Sequence, residues 1–232
     1  MATGWEDTRG TATEPQPAAP RGEHWWPVAA AIVVVAGLHV ALPARYRVQP
    51  VWVIPVVQVT LLAILIIGDP GRIDRQKAWL RVVTGLVIAV ITLANLAAAV
   101  RLVVDILTNN RLYANNAGAL LAVGGVVWVT NIVAFALWYW DLDRGGAAAR
   151  ANPSPRAPGF VFPEMQNPDY VPKTWMPRFI DYLFLAFWTA TAVSPTDTVA
   201  IKPWAKLLMM IEAAASIALF ALVLARAINI LK

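Results

Sequence analysis

The chain of 232 residues contains no cysteine, which excludes disulfides, thiolate nucleophiles and cysteine-bound metals together. Histidine is nearly as scarce, with only His24 and His39. Neither has a carboxylate at ligand-like spacing, so neither a metal centre nor a cofactor is expected. Charge is thin as well: charged residues make up 14% and apolar residues 59%, against about 25% and about 45–50% in average soluble domains. So little polar surface cannot cover a water-soluble fold. Also missing are a phosphate-cradling G-x-x-x-x-G-K-[ST] loop, a nucleophile–base pair and a histidine cluster, so enzymatic activity is not expected.

What the chain has instead is six apolar stretches, near 26–43, 51–67, 79–107, 117–140, 179–196 and 204–228. A bilayer core about 30 Å thick takes roughly 20 helical residues to cross, and most of these stretches are long enough. The expected fold is all-α, a polytopic transmembrane helical bundle of about six spans, the fifth short and open to a re-entrant reading. Residues 1–24, with Glu6, Asp7, Glu14 and Glu23 among Pro, Thr and Ala, lack the basic start and apolar core of a secretory signal and read as a disordered tail. Residues 25–231 read as one transmembrane domain, entered at the interfacial Trp25, Trp26 and Pro27. Within it, residues 145–178 form a loop whose prolines, from Pro153 to Pro177, argue for extended chain and against helix.

The net charge of +5 suggests nucleic acid, but Lys and Arg lie in the loops, as they do in cytoplasmic loops facing anionic lipid. The partners expected are the bilayer, a second copy of the chain and an ion, with no nucleic acid. Six spans with both termini in the cytoplasm leave only Arg45, Arg47, Arg101, Arg111, Lys202 and Lys206, of 19 Lys and Arg, on the far side. That distribution favours an N-terminus inside.

Inside the spans, Glu212 is the most informative residue. An ionised carboxylate near the bilayer centre costs about 2.5–3.5 kcal/mol on insertion scales, so it should face protein or water. Ala214, Ala218, Ala221 and Ala225 form a small-residue stripe suited to close helix packing and oligomerisation, with Glu212, Ser216 and Arg226 on the opposite side. Structural partners for Glu212 would come from Thr92, Asn95, Thr130 or Asn131. Arg101 and Asp105, four apart, are expected to neutralise each other. Asp141, Asp143, Arg178, Asp181 and Arg226 fall at inner span ends, where an ion-pair cluster would fix the helix termini. The group Asp141, Asp143 and Asp181 is also the one place an acid–base pair acting on lipid could arise.

The fifth stretch ends in hydroxyls, a proline and a carboxylate. Thr191-Ala192-Val193-Ser194-Pro195-Thr196-Asp197 resembles the T-x-V-G-Y-G-D filter of potassium channels at Thr191, Val193 and Asp197. Ser194, Pro195 and Thr196 stand where that filter has Gly, Tyr and Gly, the glycines that let its carbonyls face an ion. The charge count, by contrast, favours a crossing fifth span. A wider likeness, over roughly residues 117–231, rests on the W-Y-W end of the fourth stretch, Gly145-Gly146, Phe160-Val161-Phe162-Pro163, Asp181-Tyr182 and the S-x-x-D-T run. On these the chain resembles a bacterial family of small polytopic inner-membrane proteins defined by a domain of unknown function. The resemblance implies the bacterial cytoplasmic membrane and brings no activity with it. The function expected is a channel-like or small-transporter protein whose pathway draws on Thr189, Thr191, Ser194, Thr196, Asp197, Glu212 and Ser216. The alternative is an accessory membrane subunit with no transport activity.

Overall fold

The structure, a computed structural model, describes residues 22–47, 50, 52–68, 73, 77–108, 116–151, 156–172, 175–191 and 197–231. Six apolar helices dominate it: α1 (Trp26–Ala41), α2 (Val53–Gly68), α3 (Ala78–Leu107), α4 (Ala117–Leu142), α7 (Phe179–Thr191) and α8 (Pro203–Leu231). Among the described residues they are joined by two single-turn helices, α5 (Ala147–Arg150) and α6 (Pro163–Gln166), two short strands, β1 (Phe160–Val161) and β2 (Val199–Ala200), and 3-10 turns at Ala44–Tyr46, Asp143–Gly145 and Pro168–Tyr170. Three helices among the described residues, Ala78–Leu107, Ala117–Gly145 and Pro203–Leu231, are long and apolar enough to cross a membrane. The chain is a helical membrane protein.

Local chemistry sets the helix ends. Pro27 occupies the first turn of α1, where its missing N–H costs nothing. The Asn116 side chain caps α4 by accepting from the Ala119 N–H at 2.9 Å. At the other end of α4, Arg144, Gly145 and Gly146 have φ of 54°, 87° and 95°. A left-handed run of this kind turns the chain sharply out of the helix.

Contacts between helix ends fix the directions. Glu23, just before α1, bonds Trp140 near the end of α4 and the backbone of Phe179 at the start of α7. Ile73, between α2 and α3, donates to the Glu23 carbonyl. At the opposite end, Arg45 and Tyr46, just past α1, bond Asp105 near the end of α3. Helices α4 and α8 run antiparallel, with Tyr139 on Glu212 and Asn131 on Ser216. The start of α1 and the end of α8 therefore lie at opposite ends of the bundle. Six full crossings would instead place these two helix ends together.

The cause lies in the fifth stretch. α7 has 13 residues, about 20 Å of helix at 1.5 Å per residue, short of a core about 30 Å thick. Phe187 packs edge-on against Trp128, near the middle of α4, so α7 runs about halfway along α4. The chain is back where it started by Val199: β1 and β2 pair antiparallel, Phe160 opposite Ala200 and Val161 opposite Val199. The chain thus leaves the loop end in α7 and is back at that end by Val199.

The proline-rich loop is also more structured than expected. Pro163 and Pro168 begin helical turns rather than breaking them, because proline is tolerated where the N–H has no intrahelical partner anyway. Of the expected disordered tail, residues 1–21 lie outside the described residues, whereas Glu23 is tied into the core. One apolar cluster gathers α1, α4, α7 and Phe160 at the loop end. A second joins α3, α4 and α8 at the far end.

Candidate functional site

The returning segment is held by three devices around Phe160. Its ring is fully buried, with centroids 5.0 Å from Tyr139, 5.6 Å from Trp204 and 6.4 Å from Tyr182. One aromatic residue from the loop thus joins α4, α7 and α8. Edge-on pairs of this kind contribute about 0.5–1.5 kcal/mol each beyond area burial. Asp143, fully buried, accepts from the Gly159 N–H at 2.6 Å and from the Tyr182 hydroxyl at 2.6 Å. The Ile201 N–H donates to the Gly159 carbonyl at 2.8 Å.

A second knot fixes the start of α7. The Glu23 carboxylate accepts from the Trp140 indole at 2.8 Å and the Phe179 N–H at 2.5 Å, and faces Arg150 at 3.8 Å. Arg150 donates to the carbonyls of Trp140 and Asp143 and lies over the rings of Trp140 and Tyr182. A buried guanidinium needs a counter-charge of this kind; among the described residues Arg150 Nη1 is bonded, while Nη2 has only the Glu23 carboxylate facing it.

The pathway candidates fall into two groups. Thr189 and Thr191 lie on the last turn of α7, their hydroxyls returned to the Leu185 and Trp188 carbonyls at 2.8 and 3.0 Å. Ser194 and Thr196 lie outside the described residues. Asp197 is exposed, and its carbonyl accepts from Gln166. Glu212 and Ser216 form the other group, both fully buried against α4. Tyr139 donates to Glu212 Oε2 at 2.5 Å, while Asn131 donates to Ser216 at 3.1 Å and accepts from Asn95 at 3.3 Å. The partner of Glu212 is therefore a tyrosine rather than the expected Thr or Asn. Ala214, Ala218, Ala221 and Ala225 are exposed, on the face turned away from Glu212 as the helical spacing predicts.

The ion-pair cluster is only partly assembled. Asp143 lies beside Arg144, at 3.7 Å, rather than Arg178. Asp181 accepts from the Arg178 backbone N–H at 2.7 Å, a helix-start bond rather than an ion pair. Arg226 does not belong: α8 runs away from this end, and 14 residues past Glu212 is about 21 Å further along the helix. Arg101 and Asp105 do not pair either. Asp105 is taken by Arg45 and Tyr46, and Arg101 donates to the carbonyls of Arg45 and Arg47. Among the described residues no group of three His, Asp or Glu could hold a metal.

Sequence reasoning missed Glu23, Tyr139, Arg150 and Phe160 as organising residues. Tyr139 and Phe160 lay inside motifs already singled out, but an aromatic near a span end is more simply explained as an interfacial anchor. Glu23 carried no signal beyond its closeness to Trp25. No protein-family model, no curated protein and no solved structure matches the chain.

Proposed function

We propose that this chain is the subunit of a channel-like membrane protein of pore-loop type. In this reading α1, α2, α3, α4 and α8 cross the bilayer, while α7 enters to mid-depth and the chain returns through Thr191–Asp197. The observation that carries it is the pairing of residues 160–161 with 199–200, together with the bond from Ile201 to Gly159. A half-helix followed by irregular backbone at membrane depth is tolerated only where it is buried in protein or lines water. The Thr191 hydroxyl and the Asp197 carboxylate would line that water. The partial likeness to the potassium-channel filter supports the same segment, although its missing glycines argue against potassium selectivity. Subunits would meet through the exposed alanine face of α8 and the exposed Ile180 and Phe184 of α7, bringing the returning segments to a common axis. Glu212 then serves as a buried strut between α4 and α8, with Asp197 the acidic group at the mouth.

Among the described residues, Lys77, Arg81, Arg144, Arg150, Arg156, Arg178, Lys202 and Lys206 lie at the loop end, and Arg45, Arg47, Arg101 and Arg226 at the other. The positive-inside rule then gives a cytoplasmic N-terminus, a loop entering from the cytoplasm and an external C-terminus.

The test combines topology with flux. Single cysteines at Ala157 and Val199, both exposed, should react with an impermeant maleimide from the same side of the membrane. Gly159 is unsuitable, because a Cβ there would lie 2.4 Å from the Trp204 ring. Purified protein in liposomes should pass small cations, and Asp197→Asn should reduce that flux several-fold. Labelling from opposite sides would sink the pore loop. Same-side labelling with no flux of sodium, potassium or protons would leave the accessory-subunit reading.

A further inference from the structure

At the loop end, α1, α2, α3 and α4 enclose a cavity of about 310 Å³, within the range of roughly 300–1,000 Å³ typical of ligand sites. Its wall is apolar, including Ala29, Ile32, Leu62, Val87 and Ile88. Its mouth carries Lys77, Arg81, Arg156 and Asp141, with Trp25 beside them. Greasy depth and a charged rim make the cavity amphipathic in the same sense as a membrane lipid.

The charge at the mouth selects among lipids. Lys77, Arg81 and Arg156 are exposed, and among the described residues none of the three is held in an ion pair. The Arg156 guanidinium lies over Gly145, its Nη1 2.9 Å from where a Cβ would stand. Among the described residues Asp141 is the only carboxylate lining the cavity, and it feels both Arg81 and Arg150. Arg150 in turn faces Glu23, outside the cavity. Three cations against one carboxylate leave the described part of the mouth net positive. Basic pockets between membrane helices, at the side where headgroups lie, bind anionic lipid headgroups for this reason.

We propose that this cavity binds one anionic phospholipid, an acyl chain lying against Ile32, Leu62 and Val87 and the phosphate held by Arg81 and Arg156, with Lys77 at the rim. The site stands at the opposite side of α4 from the returning segment. It is independent of whether that segment conducts.

The test uses the full chain, purified in detergent and stripped of lipid, with phosphatidylglycerol and phosphatidylcholine of equal chain length as probes. Native mass spectrometry should show phosphatidylglycerol retained roughly fivefold or more over phosphatidylcholine, on the scale of one to two surface cations. The double substitution Arg81→Gln, Arg156→Gln should abolish that preference while leaving the thermal midpoint unchanged, since both side chains are exposed. Soluble glycerol phosphate at equal concentration should not displace the lipid, because it cannot fill the apolar wall. Equal retention of the two lipids, a preference that survives the double substitution, or displacement by glycerol phosphate would each overturn the proposal.

Discussion

The Ile201 N–H reaches the Gly159 carbonyl at 2.8 Å, and the Trp204 indole fills the space where a side chain on Gly159 would stand. A Cβ at Gly159 would come within 2.4 Å of that ring. Gly159→Ala must therefore shift the indole or open the pairing of the loop with the start of α8. Overpacking of this kind costs about 1–3 kcal/mol. The expected result is a lower thermal midpoint in detergent together with greater maleimide reactivity of a cysteine at Val199. An unchanged midpoint and unchanged reactivity would mean that the indole moves aside freely.

Two adjacent glycines on α4 provide an internal control. A Cβ at Gly124 would meet Val223 of α8 at 2.7 Å, while one at Gly125 meets nothing within 4 Å. Gly124→Ala should destabilise by about 1–3 kcal/mol through overpacking. Gly125→Ala should be neutral or stabilising, by up to about 1 kcal/mol from helix propensity. Thermal midpoints of the two variants measured side by side decide the matter. Similar losses in both would contradict the close approach of α4 and α8.

Much of the bundle was legible because apolar length is a strong signal, and α3, α4 and α8 declare themselves by it. The α8 register was legible too: Glu212 and Ser216 face protein while Ala214, Ala218, Ala221 and Ala225 face outward, as a period of 3.6 demands. Direction was harder to read. An apolar helix carries no mark of the end at which it starts, and α7, with its 13 residues, lies between the lengths of a span and of a re-entrant turn. The decision rested on Phe160, 19 residues upstream of Phe179. A two-residue strand pairing with residues 199–200 has no periodicity to detect. That single unread contact lies behind three features of the geometry together: the return of the chain to the loop end after α7, the start of α1 and the end of α8 at opposite ends of the bundle, and the place of Arg226. Charge counting could not correct it, since moving Lys202 and Lys206 to the loop end and Arg226 to the other leaves the balance nearly as it was.

Tyr139 and Glu212 make a buried pair whose parts can be separated. Among the described residues Glu212 Oε1 has no hydrogen-bond partner, so the tyrosine is what satisfies the carboxyl. Tyr139→Phe should cost about 1–3 kcal/mol, the penalty for a buried polar group left unmet. Glu212→Met in the same background should recover part of the loss, because the carboxyl that lacks a partner is then gone. A double-mutant cycle on thermal or denaturant stability measures the coupling. Additive losses would mean that the two side chains do not depend on each other.

Glu23 makes the most demanding test, because one residue serves four parts of the chain. It accepts from Trp140 on α4 and from the Phe179 N–H on α7, faces Arg150 at 3.8 Å, and its own carbonyl accepts from Ile73. Glu23→Ala leaves Arg150 buried without its counter-charge and two donors without acceptors. Removing one member of a buried pair costs about 3–5 kcal/mol. Glu23→Gln keeps an acceptor oxygen but not the charge, and should fall between the variant and the wild type. The loss should also be local in its first effect, because the Phe179 N–H is one of the donors at the start of α7 that the helix itself cannot satisfy. A cysteine at Ala186, fully buried on α7, should therefore become more reactive in both variants, and more so in Glu23→Ala. If Glu23→Ala were as stable as the wild type, with the cysteine at Ala186 equally protected, the start of α7 would have to be held by Trp140 and Phe179 packing alone.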